Sequence, residues 1–235
     1  MIKTLSLAAA VLLCGIASVN AQTIVFDNTM GVGIDNAVGA DQSAFIALET
    51  VDDVTLASTT QVTGINWSGV YVSPLGADGL VSTADDDFTI QVFADVGGAP
   101  DETALASFNV GSDVNRTSGS VLTLPLATDP GGGGFVDGDF QSFNYSADID
   151  FTFDSGTTFW LSILNNTENA TDSFSLGVIE DGGNSFGRAA PFPFSPQGFV
   201  TDFQLTTSTV PEPGSFTAFT FGLLGLLVRR KRRVA

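Results

Sequence analysis

The stretch ADIDFTFDS, residues 147–155, alternates apolar and polar side chains with a period of two. The apolar residues fall on one face: Ile149, Phe151 and Phe153. The polar residues fall on the other: Asp148, Asp150, Thr152 and Asp154. Side chains of a β-strand point alternately to its two faces, so the pattern indicates a strand with one face toward a core and an acidic face toward water.

Similar segments occur on both sides of this stretch. They are TGINWSGVYVS (63–73), DDFTIQVFAD (86–95), TTFWLSILNNT (157–167), DSFSLGVIED (172–181) and VTDFQLTT (200–207). TTFWLSILNNT is apolar on both faces, as a central strand is. Turn-forming clusters at 97–100, 129–134 and 181–184 separate the segments. Many short strands without a helical period predict an all-β, antiparallel β-sandwich of jelly-roll type over residues 22–209.

The amino-terminal residues have the layout of a secretory signal peptide. Lys3 is the basic region, residues 5–17 are the apolar region, and Val19-Asn20-Ala21 is a small-residue cleavage site. Cleavage between Ala21 and Gln22 makes residues 1–21 the signal peptide and removes Cys14. We therefore expect the secretion translocon and a signal peptidase to act on the chain.

Charge is divided sharply along the chain. Of the 26 acidic residues, 25 lie between the signal peptide and Pro211, together with only two basic residues, Arg116 and Arg188. This body therefore carries a net charge near −23. A polyanion of this kind repels nucleic acid and anionic lipid, which argues against a nucleic-acid partner, and it attracts divalent cations. Solubility in a salty exterior is the simpler explanation of most of the carboxylates.

The carboxy-terminal stretch VPEPGSFTAFTFGLLGLLVRRKRRVA, residues 210–235, has the opposite charge. Its apolar run, 216–228, is 13 residues long. As a helix it would measure roughly 20 Å, against about 30 Å of bilayer hydrocarbon. With help from snorkelling arginines it could just span a membrane, with the basic cluster on the cytoplasmic side. The layout is also that of carboxy-terminal sorting signals, which are removed after translocation.

This tail resembles a PEP-CTERM sorting domain, the bacterial signal that an exosortase recognises. The resemblance implies that Val210, Pro211, Glu212 and Pro213 form the sorting motif. It also implies a membrane-retention cluster at the end of the apolar segment: Arg229, Arg230, Lys231, Arg232 and Arg233. The strand segments of the body, with the final DFQLT, more loosely resemble the bodies of PEP-CTERM proteins, a likeness that implies no catalytic residues.

Most catalytic chemistry is absent from the composition. The chain has no histidine, and the body has neither cysteine nor lysine, which excludes Ser–His–Asp and Cys–His catalysis and zinc sites built on His or Cys. A carboxylate pair of the glycoside-hydrolase kind is the remaining route. Two pairs illustrate it, Glu49 with Asp52 and Glu180 with Asp181. With 25 acids in the body some pair always fits, so we do not expect an enzyme.

Two kinds of ligand site can be proposed from the residues. Asp85, Asp86 and Asp87 offer hard oxygen ligands that suit Ca²⁺, although a solvated acidic loop explains them as well. A second acidic loop, Asp137-Gly138-Asp139, is a weaker candidate for Ca²⁺. Four aromatic residues could stack on sugar rings, but a place in the core is favoured for aromatics on a strand: Trp67, Tyr71, Tyr145 and Trp160.

The segment APFPFSPQGF, residues 190–199, contains three prolines, which predict a loop in place of a regular strand. Its phenylalanines would cap one end of the sandwich or form a contact surface.

The favoured hypothesis is a non-catalytic, exosortase-processed protein of the cell envelope, surface or extracellular matrix. It would cross the inner membrane, keep a transient or permanent carboxy-terminal anchor, and contact extracellular polysaccharide. A carbohydrate-binding, lectin-like module, with or without Ca²⁺, is the alternative. A secreted glycoside hydrolase is the third.

Overall fold

The computed structural model describes residues 21–28, 36–39, 48–72, 86–127, 135–166, 173–179, 183–189 and 191–209. Within these ranges the chain is all-β and contains no helix. The strands are β1 (Ala21–Asp27), β2 (Asn36–Gly39), β3 (Leu48–Thr55), β4 (Thr60–Val72), β5 (Phe88–Asp95), β6 (Pro100–Gly111), β7 (Asn115–Ala127), β8 (Phe135–Phe153), β9 (Thr158–Asn165), β10 (Ser173–Ile179), β11 (Phe186–Ala189), β12 (Ser195–Pro196), β13 (Val200–Thr201) and β14 (Phe203–Thr209).

These strands form two antiparallel sheets, which confirms the predicted all-β sandwich. The six-stranded sheet has the order β12-β11-β3-β9-β5-β6. In the eight-stranded sheet β4 is central. One edge of β4 pairs with β8, which pairs in turn with β7. Its other edge pairs with β14 over residues 64–67 and with β10 over residues 69–72, so β14 and β10 meet end to end beside Ser68.

The core lies between the sheets and is rich in aromatic rings. Phe88 of β5 is fully buried, and its ring centroid lies 5.1 Å from that of Trp67, 4.9 Å from that of Tyr145 and 5.0 Å from that of Phe174. The other three residues belong to the eight-stranded sheet, so one ring of the six-stranded sheet is enclosed by three from the opposite layer. The predicted inward faces of the strands meet here.

A second apolar cluster lies on the outer face of the six-stranded sheet. Val51, Phe93 and Trp160 are buried there, under the partly buried Phe186 and Phe194. This explains why both faces of TTFWLSILNNT are apolar: β9 is buried from Phe159 to Asn165. Phe194 comes from the proline-rich segment, and its ring packs edge-on against Phe93. Phe194 therefore covers part of the outer face of the six-stranded sheet, whereas the sequence predicted a cap at one end of the sandwich or a contact surface.

Two segments predicted as loops contain strand residues, and one predicted turn is confirmed. Residues 195 and 196 of the proline-rich segment form the short edge strand β12, where Pro196 is tolerated because an edge position needs no donor on one side. Residues 137–139 are not a loop but part of β8, since β7 pairs with them through Thr123–Pro125. The predicted turn at 97–100 is confirmed in that Gly97 and Gly98 have φ of 69° and 88° between β5 and β6.

The chain divides into two compact units. One unit, Ile24–Thr207, contains the two sheets apart from the first three residues of β1 and the last two of β14. The other unit combines Met1–Thr23 with Ser208–Ala235. Residues 1–20 and 210–235, with most of the predicted signal peptide and the sorting motif, lie outside the described residues. Across the described part of the chain, no helical segment meets the length and hydrophobicity that a membrane crossing demands.

Candidate functional site

Arg116 neutralises a buried carboxylate. Its Nη1 lies 3.2 Å from Oδ2 of Asp86, a residue only 3% exposed. The Tyr71 hydroxyl donates to Oδ1 of Asp86 at 2.5 Å and accepts from Nδ2 of Asn165 at 2.6 Å. Burial, and after it the neighbouring Tyr145 and Asp86, raise the pKa of Tyr71, so the phenol stays protonated and remains a donor. The Arg116 guanidinium also lies 4.6 Å from the ring centroid of Phe143.

Arg188 plays the same part on the six-stranded sheet. It faces Glu49 across the β11–β3 pair, and its Nε donates to Oε2 of that buried glutamate at 2.6 Å. Its Nη1 reaches the exposed Glu102 at 3.2 Å, and its guanidinium lies 4.2 Å from the ring centroid of Phe194. Both arginines of the body therefore hold a carboxylate and cover an aromatic ring.

Among the described residues, the proposed calcium ligands do not form a metal site. Asp86 is engaged by Arg116 and Tyr71. Asp87 is exposed and its Oδ2 accepts from Asn166 at 3.2 Å, while Asp85 lies outside the described residues. Over the described ranges no three acidic, His or Cys side chains converge as metal ligands would. Calcium binding at this set stays a prediction.

The proposed carboxylate pair of Glu49 and Asp52 is wrong. The two residues are three positions apart on β3, so their side chains point to opposite faces of the strand. Glu49 bonds Arg188, whereas Asp52 bonds Thr201. The other pair, Glu180 and Asp181, lies outside the described residues.

Asp52 links the two sheets. It is 1% exposed, and its Oδ2 accepts from the backbone N–H of Thr201 at 2.7 Å and from the Thr201 hydroxyl at 3.0 Å. Oδ2 also accepts from Nδ2 of Asn28 at 3.4 Å, and Oδ1 from the N–H of Asp53 at 2.9 Å. Burial raises the pKa of Asp52 to about 6, because desolvation outweighs these hydrogen bonds.

This raised pKa predicts that acidification stabilises the fold. Between the ordinary value of 3.8 and about 6 the folded chain binds more protons at Asp52 than the unfolded chain. The free energy of unfolding should therefore rise as the pH falls from 7 to 4, by about 2–3 kcal/mol from this group, and that gain is lost as the pH rises through 6. Urea unfolding at pH 4, 5, 6 and 7 measures the slope, to which general charge repulsion also contributes.

Asp52→Asn separates the two contributions, because it removes the titrating group and leaves the remaining acids. The variant should show a shallower pH dependence than the parent, while Asp154→Asn at an exposed site should keep the parent slope. Equal slopes in the parent and in Asp52→Asn would contradict this role of Asp52.

The four aromatic residues considered for sugar stacking all belong to the core. Trp67 and Tyr71 are 3% and 4% exposed, and Tyr145 and Trp160 are each 2% exposed. The core interpretation is confirmed for each. None of them therefore offers a ring face to a sugar.

A polar surface lies instead on the outer face of the eight-stranded sheet. It consists of two rows of side chains that cross neighbouring strands. The first row is Gln204, Asn66, Ser146 and Asn115; the second is Asp202, Ser68, Asn144 and Thr117. We call these eight residues the polar grid. They line a cavity of about 350 Å³ together with Trp67 and Tyr145.

Sequence reasoning missed the polar grid. Each of its strand residues is the polar half of an alternating segment, which predicts only a solvent-facing position. The signal that could have found it is the run of amides and hydroxyls opposite the apolar face in TGINWSGVYVS and in residues 144–146. A single sequence does not show which strands pair, so it does not predict that these side chains lie side by side in rows.

A family model for the PEP-CTERM protein-sorting motif matches residues 209–233. The chain carries a PEP-CTERM sorting motif. The match includes both the Val210–Pro213 motif and the Arg229–Arg233 cluster, which confirms the resemblance of the tail. No curated protein and no solved structure matches the chain. The PEP-CTERM motif identifies an exported protein that an exosortase targets to the cell envelope or surface.

Proposed function

We propose that this PEP-CTERM protein is a non-catalytic component of the cell surface or extracellular matrix, with an acidic β-sandwich as its working part. The sorting-motif match at residues 209–233 is the observation that carries the proposal. Signal-peptide cleavage after Ala21 and exosortase processing near Val210–Pro213 would release the sandwich outside the inner membrane. A net charge near −23 keeps such a body soluble and apart from anionic polymers.

The buried carboxylates support a structural role for the acids. Asp86 and Glu49 are neutralised by arginines, and Asp52 joins the sheets through Thr201. Acids held in this way are positioned for stability, whereas a hydrolase needs two carboxylates facing a common cleft. Of the two acidic pairs considered, Glu49 and Asp52 point to opposite faces of β3.

Cell fractionation tests the proposal. The full chain is expressed in a bacterium that has an exosortase and secretes polysaccharide, and the protein is quantified in the cytoplasm, membrane, surface and matrix fractions. We expect most of it in the surface and matrix fractions. A triple variant with Pro211→Ala, Glu212→Ala and Pro213→Ala should stay in the membrane fraction. Glu102→Ala, which removes one exposed acid from the body, should sort like the parent.

Two results would count against the proposal. One is a failure of sorting, in which the parent protein stays in the cytoplasm or the triple variant reaches the matrix as efficiently as the parent. The other is release of oligosaccharides from matrix polysaccharide by the purified protein, with loss of that release on replacement of one Asp or Glu. The second result would establish the hydrolase.

A further inference from the structure

We propose that the polar grid binds an uncharged polysaccharide chain. This deepens the proposed function, because it names the partner through which a surface protein would join the matrix. In this proposal the sugar contacts come from the polar side chains of the grid, since the aromatic rings considered earlier lie in the core.

The strand register gives the grid its shape. Gln204 pairs with Asn66, Asn66 with Ser146, and Ser146 with Asn115, so the first row crosses four strands, β14, β4, β8 and β7. Neighbouring strands lie about 4.8 Å apart, which makes this row about 14 Å long. The second row is two residues farther along the strands, about 7 Å away. The surface is thus long and narrow, as an extended polymer requires.

The side chains of the grid suit hydroxyl groups. Amides of Asn and Gln both donate and accept, and so do Ser and Thr hydroxyls, which matches sugar hydroxyls that also do both. Asn115, Thr117 and Asn144 are exposed, so their polar atoms can reach a ligand without a rearrangement. Asn66 and Ser146 are half-buried between them and form the floor.

Asp202 has a carboxylate oxygen that lacks a hydrogen-bond donor among the described residues. It lies where β14 and β10 meet: its N–H donates to the Gly177 carbonyl, and its own carbonyl accepts from the N–H of Ser68. The Ser68 hydroxyl donates to Oδ2. Oδ1 is buried and finds no donor among the described residues. A buried carboxylate oxygen without a donor is costly, so a movement of the Asp202 side chain toward the cavity would let a sugar hydroxyl supply one.

The charge of the molecule selects an uncharged ligand. The body carries a net charge near −23, which repels anionic polysaccharides, nucleic acids and anionic lipids. A cationic partner gains most where carboxylates cluster, yet the grid has one carboxylate among eight side chains. A neutral, hydroxyl-rich chain is not repelled by the charge of the body, and its hydroxyl groups can form hydrogen bonds with the grid.

Affinity electrophoresis tests this inference. The full chain, in a polyoxyethylene detergent without sugar headgroups, is run in native gels containing dextran, laminarin or galactomannan, with alginate as the anionic comparison. At least one neutral polymer should retard the protein, and alginate should not. Asn115→Ala combined with Asn144→Ala should weaken the apparent affinity about tenfold, since two hydrogen bonds are lost.

The control is Asn109→Ala, the same change at an exposed position of β6 on the other sheet, which should bind like the parent. Asn144→Asp is a second test variant that keeps the side-chain size and should also bind less. Circular dichroism checks that each variant is folded.

Four outcomes would overturn the inference. They are no retardation by any neutral polymer, retardation by alginate alone, equal binding by the parent and the double variant, and self-association that the double variant abolishes. The last would mean that a second copy covers the grid. A protein that reaches the surface but binds none of the polymers leaves the proposed function standing, whereas binding by a protein confined to the cytoplasm refutes the proposed function alone.

Discussion

Replacing Arg116 with methionine should lower the free energy of unfolding by about 3–5 kcal/mol, because it leaves a buried charge without its partner. The Arg116 and Asp86 side chains are 11% and 1% exposed. Methionine can still pack on the Phe143 ring, but it supplies no positive charge and so loses the contact between the guanidinium and that ring. Asp86 would keep the hydrogen bond from the Tyr71 hydroxyl but lose its positive partner. Urea unfolding followed by tryptophan fluorescence measures the change.

The double variant Arg116→Met, Asp86→Asn is the matched control. Asparagine accepts from Tyr71 as aspartate does but brings no charge, so this variant should recover part of the lost stability. A single variant as stable as the parent would contradict the account of this pair. So would a double variant that is destabilised by the sum of both single changes.

Phe88→Ala should also cost about 3–5 kcal/mol, because it opens a cavity at the centre of the core. Phe88 is fully buried, and its ring contacts Trp67, Tyr145 and Phe174 of the opposite sheet. Removing it takes away three aromatic contacts and the apolar area that the ring buries.

Phe192→Ala gives the comparison for this core variant. The residue type is the same, but Phe192 is 67% exposed in the proline-rich segment, so its removal should change the stability by less than about 0.5 kcal/mol. Thermal unfolding of both variants beside the parent decides the point. Similar losses in the two variants would show that the core is not centred on Phe88.

The strands could be predicted because their pattern is local. In ADIDFTFDS, Ile149 and Phe153 are buried. Asp148 and Asp150, the two neighbours of Ile149 in the sequence, are exposed, as a period of two requires. The doubly apolar β9 was likewise predicted to be central, and it lies between β3 and β5. Local spacing thus specifies which residues enter a core and which face water.

The contacts that build the candidate sites are not local. Asp86 meets an arginine 30 positions away, and Asp52 meets Thr201 at a separation of 149. Residues this far apart come together only once the strand order is known, and that order depends on how whole faces pack. The polar grid is the clearest case, since its first row takes one residue from each of four strands.

Export followed by processing at the PEP-CTERM motif would shorten the chain at both ends. Intact-mass spectrometry of the protein recovered from the surface of an exosortase-containing host tests it most directly. The expected mature chain begins at Gln22 and has lost the Arg229–Arg233 cluster. Recovery of a surface protein that still carries this cluster, or of a full-length chain from the cytoplasm alone, would contradict it.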